Sequence, residues 1–190
     1  MYSIHHYLFA AMWLAWAIYW KVSAKHAKTT ARREAFASRM FVLAAFSVAA
    51  ALLLLPSLPG TALDARFLPA GSAPFWIGAA VTAAGLLFSA WARRLLGANW
   101  SGSVAIMERH ELIQSGPYSR IRHPIYTGML LAFAGSAIAL GQWRGVLAVV
   151  LVAVALWRKL RIEEAWLLRE FGEAYADYRR RTSALVPVLL

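Results

Sequence analysis

The chain has 190 residues, 61% of them hydrophobic and 15% charged, with a formal net charge of +11 and no cysteine. So apolar a composition exceeds what one soluble domain of this length can hide, and the lack of cysteine excludes disulfides and thiolate metal sites. The positive excess would suit nucleic acid, but its placement along the chain marks membrane topology instead.

A spanning helix needs about 20 mostly apolar residues. Four runs without Lys, Arg, Asp or Glu reach that length, at 1–20, 40–63, 67–92 and 123–143, and a fifth, 145–157, is shorter. No Lys or Arg precedes the first run, and Trp16, Tyr19 and Trp20 close it, so it reads as a span with an interfacial aromatic belt and not as a cleaved leader. Thr29 to Arg33 reads as a solvated joint. The fourth run places Gly128, Ala132 and Ser136 at four-residue spacing, a small-residue face suited to close helix contact in lipid. Only a short turn separates it from the fifth run, which predicts an antiparallel hairpin. The fifth run covers roughly 20 Å at 1.5 Å per residue, short of the ~30 Å hydrocarbon layer. Either the bilayer thins there, or the charged lower end with Arg158, Lys159, Arg161, Glu163 and Glu164 sits inside protein beside a polar cavity. A polar helix follows to about Arg181.

The basic residues alternate in density. Segments 21–39, 93–122 and 158–181 hold 18 of the 20, and segments 56–72 and 141–145 hold Arg66 and Arg144 alone. That pattern predicts about five transmembrane helices in the cell (inner) membrane, with the N-terminus outside and the C-terminus in the cytoplasm.

Two cytoplasmic segments carry the chemistry, Asn99–Gly128 and Lys159–Tyr178. Gly116-Pro117 reads as a turn. His123 precedes Pro124, a residue suited to the first helical position, so His123 stands at a helix mouth and Tyr126 on the first turn. Backbone N–H groups at such a mouth suit a carboxylate. Lys159 and Glu163, four apart, share a helical face. Asn99 and Trp100 read as substrate entry or aromatic belt, and Tyr175 and Tyr178 as packing for the last helix. No G-x-G-x-x-G follows a strand, so no Rossmann site is indicated, and no metal site is expected.

The run Arg122-His123-Pro124-Ile125-Tyr126-Thr127-Gly128, the helical hairpin after it, Glu163-Glu164, and Phe171-Gly172-Glu173 with Tyr175 and Tyr178 together resemble the isoprenylcysteine carboxyl methyltransferase family and its phospholipid methyltransferase relatives. The resemblance covers about Trp91 to Pro187. It implies an all-α, polytopic integral membrane protein in which residues 1–92 supply helices 1–3 and residues 93–190 the catalytic region, a cytoplasmic loop, the hairpin and a C-terminal helix. It also implies S-adenosyl-L-methionine as cofactor, held by Ser103, His110, Glu111, Leu112, Ile113, Tyr118, His123, Pro124, Ile125, Tyr126 and Glu163. Lys159 matches an arginine that the resemblance ties to the substrate carboxylate, so Lys159, Glu163 and Tyr126 are the catalytic candidates.

The residues suit that chemistry. Methyl transfer from a sulfonium is an in-line displacement, and an ionised carboxylate acceptor needs positioning and desolvation more than a strong base. The acceptor is expected to be a lipophilic small molecule entering from the bilayer, with membrane lipid as surroundings and no nucleic acid. Three other readings stay open at this point: a phospholipid amine N-methyltransferase, an NADPH-dependent sterol-reductase-like enzyme, and a non-catalytic membrane protein.

Overall fold

The computed structural model describes residues 2–24, 30–55, 60–100, 105–107 and 111–186. Six helices follow in order: α1 (Tyr2–Ser23), α2 (Phe36–Leu54), α3 (Ser72–Leu96), α4 (Pro124–Leu140), α5 (Trp143–Phe171) and α6 (Glu173–Arg181). Short 3-10 turns occur at Ala62–Asp64, Gly97–Asn99 and Gly116–Ser119.

Two of these helices, α2 and α3, are long and apolar enough to cross a membrane, and α4 is a shorter apolar helix of 17 residues. Many large apolar side chains point outward: Leu87 of α3 is 71% exposed and Leu14 of α1 61%. Large apolar residues spread in this way over several helices make a surface suited to hydrocarbon and not to water.

The centre of the molecule is the α3–α4 pair. A Cβ on Gly85 would lie 2.5 Å from the backbone of Gly128 and Ala132, and one on Gly128 would lie 2.6 Å from Gly85 O. The small face read on α4 thus meets an equally small face on α3, with Gly78, Thr82, Gly85 and Ser89 buried. Without a hydrophobic force between helices in lipid, this close approach and its van der Waals contact supply the attraction. Thr82 and Ser136 add hydrogen bonds to Ala132 O at 3.2 and 2.9 Å. On either side, α1 packs against α3, and α2 against α5.

The hairpin expected after α4 is present. At its turn Arg144 donates to Leu55 O at 2.7 Å and faces Asp64 at 3.5 Å, while Arg66 bridges to Gln142. The two basic residues of the sparse loops are therefore staples between those loops.

Two features differ from the sequence reading, and one matches an alternative it offered. Thr30–Arg33 is a strand, β1, paired antiparallel with β2 (Ala105–Met107), so the supposed joint ties two loops together. Four residues are too few to show a period, and the partner is remote in sequence. Next, α5 continues unbroken through the charged stretch, and its lower end enters protein: Leu160 and Glu164 are buried. Finally, the last helix is interrupted at Gly172, whose φ of +54° favours glycine, and α6 then packs so that Tyr178 reaches Tyr118 O.

Candidate active site

His123 closes the N-terminus of α4 and Pro124 takes its first helical position, as Pro allows by lacking an N–H. The imidazole makes no cap hydrogen bond. It is buried and stacks on Tyr126, with ring centroids 5.3 Å apart and planes 6° apart. The mouth of α4 offers fewer free N–H groups than the sequence suggests. His123 N–H goes to Ala184 O, and those of Tyr126 and Thr127 turn back to His123 O.

The acceptor Ala184 belongs to a segment after α6 that carries no motif. Arg122 N–H donates to Ser183 O at 2.9 Å, Ser183 N–H to Arg120 O at 3.1 Å, and Thr127 Oγ1 to Leu185 O at 2.6 Å. Arg122 Nη1 also donates to Thr182 O. The chain end is thereby strapped across the helix mouth.

Glu163 and Glu164 are adjacent on α5, so their side chains diverge by about 100°. Glu163 Oε2 accepts the Tyr126 hydroxyl at 2.6 Å and lies 3.8 Å from His123 Nδ1. Glu164 turns the other way, to Arg122 Nε at 2.6 Å, His123 Nε2 at 3.5 Å and Arg179 Nε at 3.6 Å. Burial opposes the charge of Glu164, but the His123 imidazole and the Arg122 guanidinium outweigh it and hold the carboxyl down to about 2. Lys159, one turn before Glu163, sets its Nζ 5.6 Å from the Tyr126 ring centroid.

These groups surround one cavity of about 330 Å³. Glu111, Leu112, Ile113, Tyr118, His123, Ile125, Tyr126, Lys159 and Glu163 all line it. Pro124 is buried in the first turn of α4 and is not on the wall, because its ring is committed to starting the helix. Ser103 and His110 lie outside the described residues. Asn99 and Trp100 are on the wall, next to Trp20, whose ring meets that of Trp100 edge-on at 5.3 Å. Arg93 sits under Trp100, 4.2 Å from its ring centroid, and donates to Ser23 O at 2.7 Å, joining the lower ends of α1 and α3.

The sequence reading gave Tyr175 and Tyr178 only packing, yet both line the cavity. Tyr178 donates to Tyr118 O at 2.6 Å. Tyr175 is buried, and its hydroxyl has no hydrogen-bond partner among the described residues; the same holds for His123 Nε2. Burial and the charges of Glu164 and Glu163 push the Tyr175 phenol up, so it stays an O–H donor at neutral pH. A buried hydroxyl left unsatisfied at a cavity wall is what a polar ligand would complete. Arg122 also lines the cavity; its place in the motif was visible in the sequence, its ion pair was not.

The family model described as phospholipid methyltransferase matches residues 73–174, more than half of the chain. The chain belongs to the phospholipid methyltransferase family. Within this family setting it is 30% identical over 84 residues to the protein-S-isoprenylcysteine O-methyltransferase of Schizosaccharomyces pombe, covering 42% of this chain and 34% of that protein. It is 45% identical over 76 residues to methanethiol S-methyltransferase 2 of Bradyrhizobium diazoefficiens, covering 38% and 27%. The chain spans well under half the length of the curated relatives it matches first. In structure it resembles the eukaryotic intramembrane Ras methyltransferase, an isoprenylcysteine carboxyl methyltransferase, with a TM-score of 0.56 and 22% identity over 80% of this chain and 52% of that one. That likeness is one of fold, and it extends to helices upstream of the motif.

Proposed function

We propose that this protein is an integral membrane methyltransferase that uses S-adenosyl-L-methionine to methylate the carboxylate of a lipophilic, isoprenylcysteine-like acceptor. The observation that carries the reading is the meeting of Glu163, Tyr126, His123, Lys159 and Tyr175 on one cavity between the segment before α4 and apolar helices. Family membership and the named methyltransferase relatives support it.

The residues fit the cofactor. Glu163 is a carboxylate for an amine, and the Tyr126 hydroxyl orients it. The Tyr175 O–H is buried and ready to bond a carboxylate. Tyr118, Tyr126 and Trp100 offer aromatic faces for a ring and a sulfonium. When bound, S-adenosyl-L-methionine supplies an electrophilic methyl group. Glu111, Leu112 and Ile113 close one side of the site, Ser103 and His110 are assigned to the cofactor by family resemblance alone, and Pro124 and Ile125 start the helix that carries its floor. Lys159 holds the acceptor carboxylate by charge, which leaves no proton to remove. The aromatic wall excludes water and strengthens each charge contact. In this reading α1 to α5 all span, with the N-terminus outside, and the segment from residue 93 onward bears the site while the helices before it face the bilayer.

Thermal melting of the full-length protein in detergent tests the reading. S-adenosylhomocysteine should raise the melting temperature, as any ligand of the folded state does, and NADPH should not. With labelled cofactor, methyl should pass to a prenylcysteine carboxylate and not to phosphatidylethanolamine. A shift with NADPH alone, or methyl on the phospholipid amine alone, would overturn the proposal.

A further inference from the structure

The start of α2 and the charged part of α5 share a polar cluster that the chemistry above does not use. Glu34 stands between β1 and α2, so strand pairing fixes the backbone before it and the first helical turn fixes the backbone after it. Its Oε2 accepts the Ser38 hydroxyl at 2.6 Å, and Arg158 Nη1 donates to that same Ser38 oxygen at 2.7 Å. Glu34 and Ser38 are 8% and 6% exposed. A buried carboxylate is costly unless it is hydrogen-bonded and matched by a charge, and the relay through Ser38 supplies both. The Arg158 guanidinium also lies over the Phe41 ring, 5.2 Å from its centroid. One turn of α5 is thereby fastened to the first turns of α2.

That turn is the one that carries Lys159. Arg158 and Lys159 are neighbours on α5, so their side chains diverge by about 100°. Lys159 lines the cavity of the candidate site, and Arg158 does not. Ser38 and Val42 are four apart on one face of α2, and Val42 is on the cavity wall. The charge of Glu34 reaches the Tyr126 hydroxyl, on which Glu163 also acts, and the ring of this tyrosine is the one beneath Lys159 Nζ. Of two adjacent cations, the relay takes Arg158 and leaves Lys159 to the cavity. A lysine head on a flexible four-carbon stem is only as well placed as the helical turn that carries it.

We infer that Glu34 is a positioning residue of the acceptor site: through Ser38 it holds Arg158, and with Arg158 the turn of α5 that aims Lys159 at an anionic acceptor. The inference rests on the methyltransferase reading and on Lys159 as the anchor. It brings in a residue from the connection before α2, remote in sequence from the motif. Glu34 and Ser38 are not on the cavity wall. Their effect therefore passes through Lys159 and falls on acceptor kinetics, not on cofactor binding. Residues that act through one group give effects that do not add.

The test uses full-length protein in nanodiscs, with S-adenosyl-L-methionine and a prenylcysteine acceptor for turnover and S-adenosylhomocysteine for melting. Glu34→Gln and Ser38→Ala should each raise the acceptor KM by roughly three- to tenfold and keep the melting shift. Ser38→Thr, which retains the hydroxyl, should restore the wild-type KM. Beside Lys159→Gln, the Glu34→Gln change should have no further effect on kcat/KM. A loss due to weaker folding alone would persist there. Where Glu34→Gln melts too low to assay, Ser38→Ala carries the same comparison. An unchanged KM in the single variants, or a full-sized effect of Glu34→Gln beside Lys159→Gln, would overturn the inference alone. Wild-type protein with neither turnover nor a melting shift would overturn the methyltransferase reading, and the inference with it.

Discussion

The Tyr126 hydroxyl donates to Glu163 Oε2 at 2.6 Å, joining α4 to α5 across 37 residues of sequence. His123 stacks on the same ring and Lys159 sits over it, so a single tyrosine positions three charged or polar groups of the candidate site. A hydrogen bond to a charged group contributes about 1.5–3 kcal/mol. Tyr126→Phe should therefore weaken S-adenosylhomocysteine binding by roughly tenfold or more, and Glu163→Gln by more still, as read by calorimetric titration. Unchanged affinity in both variants would remove Glu163 from the cofactor site.

Lys159 separates two roles. As the anchor of an anionic acceptor, Lys159→Gln should leave the melting shift with S-adenosylhomocysteine in place while acceptor KM rises or kcat falls. Lys159→Arg should raise activity on a prenylcysteine carboxylate, since the guanidinium fork bonds a carboxylate through two parallel N–H groups. Weakened cofactor binding with unchanged acceptor kinetics in Lys159→Gln would show instead that the lysine serves Glu163.

Glu164 predicts a pH dependence of stability. Its carboxyl titrates at about 2 in the folded protein, against roughly 4.3 for an unfolded Glu. Between those values the unfolded chain binds more protons, so stability rises with pH. The contribution, roughly 3 kcal/mol, is complete above about pH 5 and fades as pH falls towards 2. Glu164→Gln also leaves Arg122 buried without its counter-charge, a loss of about 3–5 kcal/mol. The variant should melt well below the wild-type protein at pH 7, and the gap should narrow between pH 5 and pH 3. A gap of constant size would mean that the ion pair is not its source.

Orientation is the fourth test. The split of basic residues predicts Leu190 in the cytoplasm and Asp64 outside. Reporter fusions at the two positions should read accordingly. The opposite pattern would turn the cavity mouth away from the cytoplasm, where S-adenosyl-L-methionine is available to it.

What could be read ahead of the structure was local. The start of α4 at His123-Pro124 follows from the fixed φ of proline and its missing N–H, and the small face of Gly128, Ala132 and Ser136 follows from helical spacing. The motif singled out Tyr126, Glu163 and Lys159, and all three meet on one cavity. Docking decided the remainder. That Glu163 faces the cavity while Glu164 faces Arg122 depends on how α5 is rotated against α4, and no pattern in two adjacent glutamates specifies it. Tyr175 reaches the wall because Gly172 breaks the last helix. The strap at 182–186 and the ribbon of β1 with β2 are held by backbone hydrogen bonds. Such bonds accept nearly any side chain, so the sequence carries no trace of them.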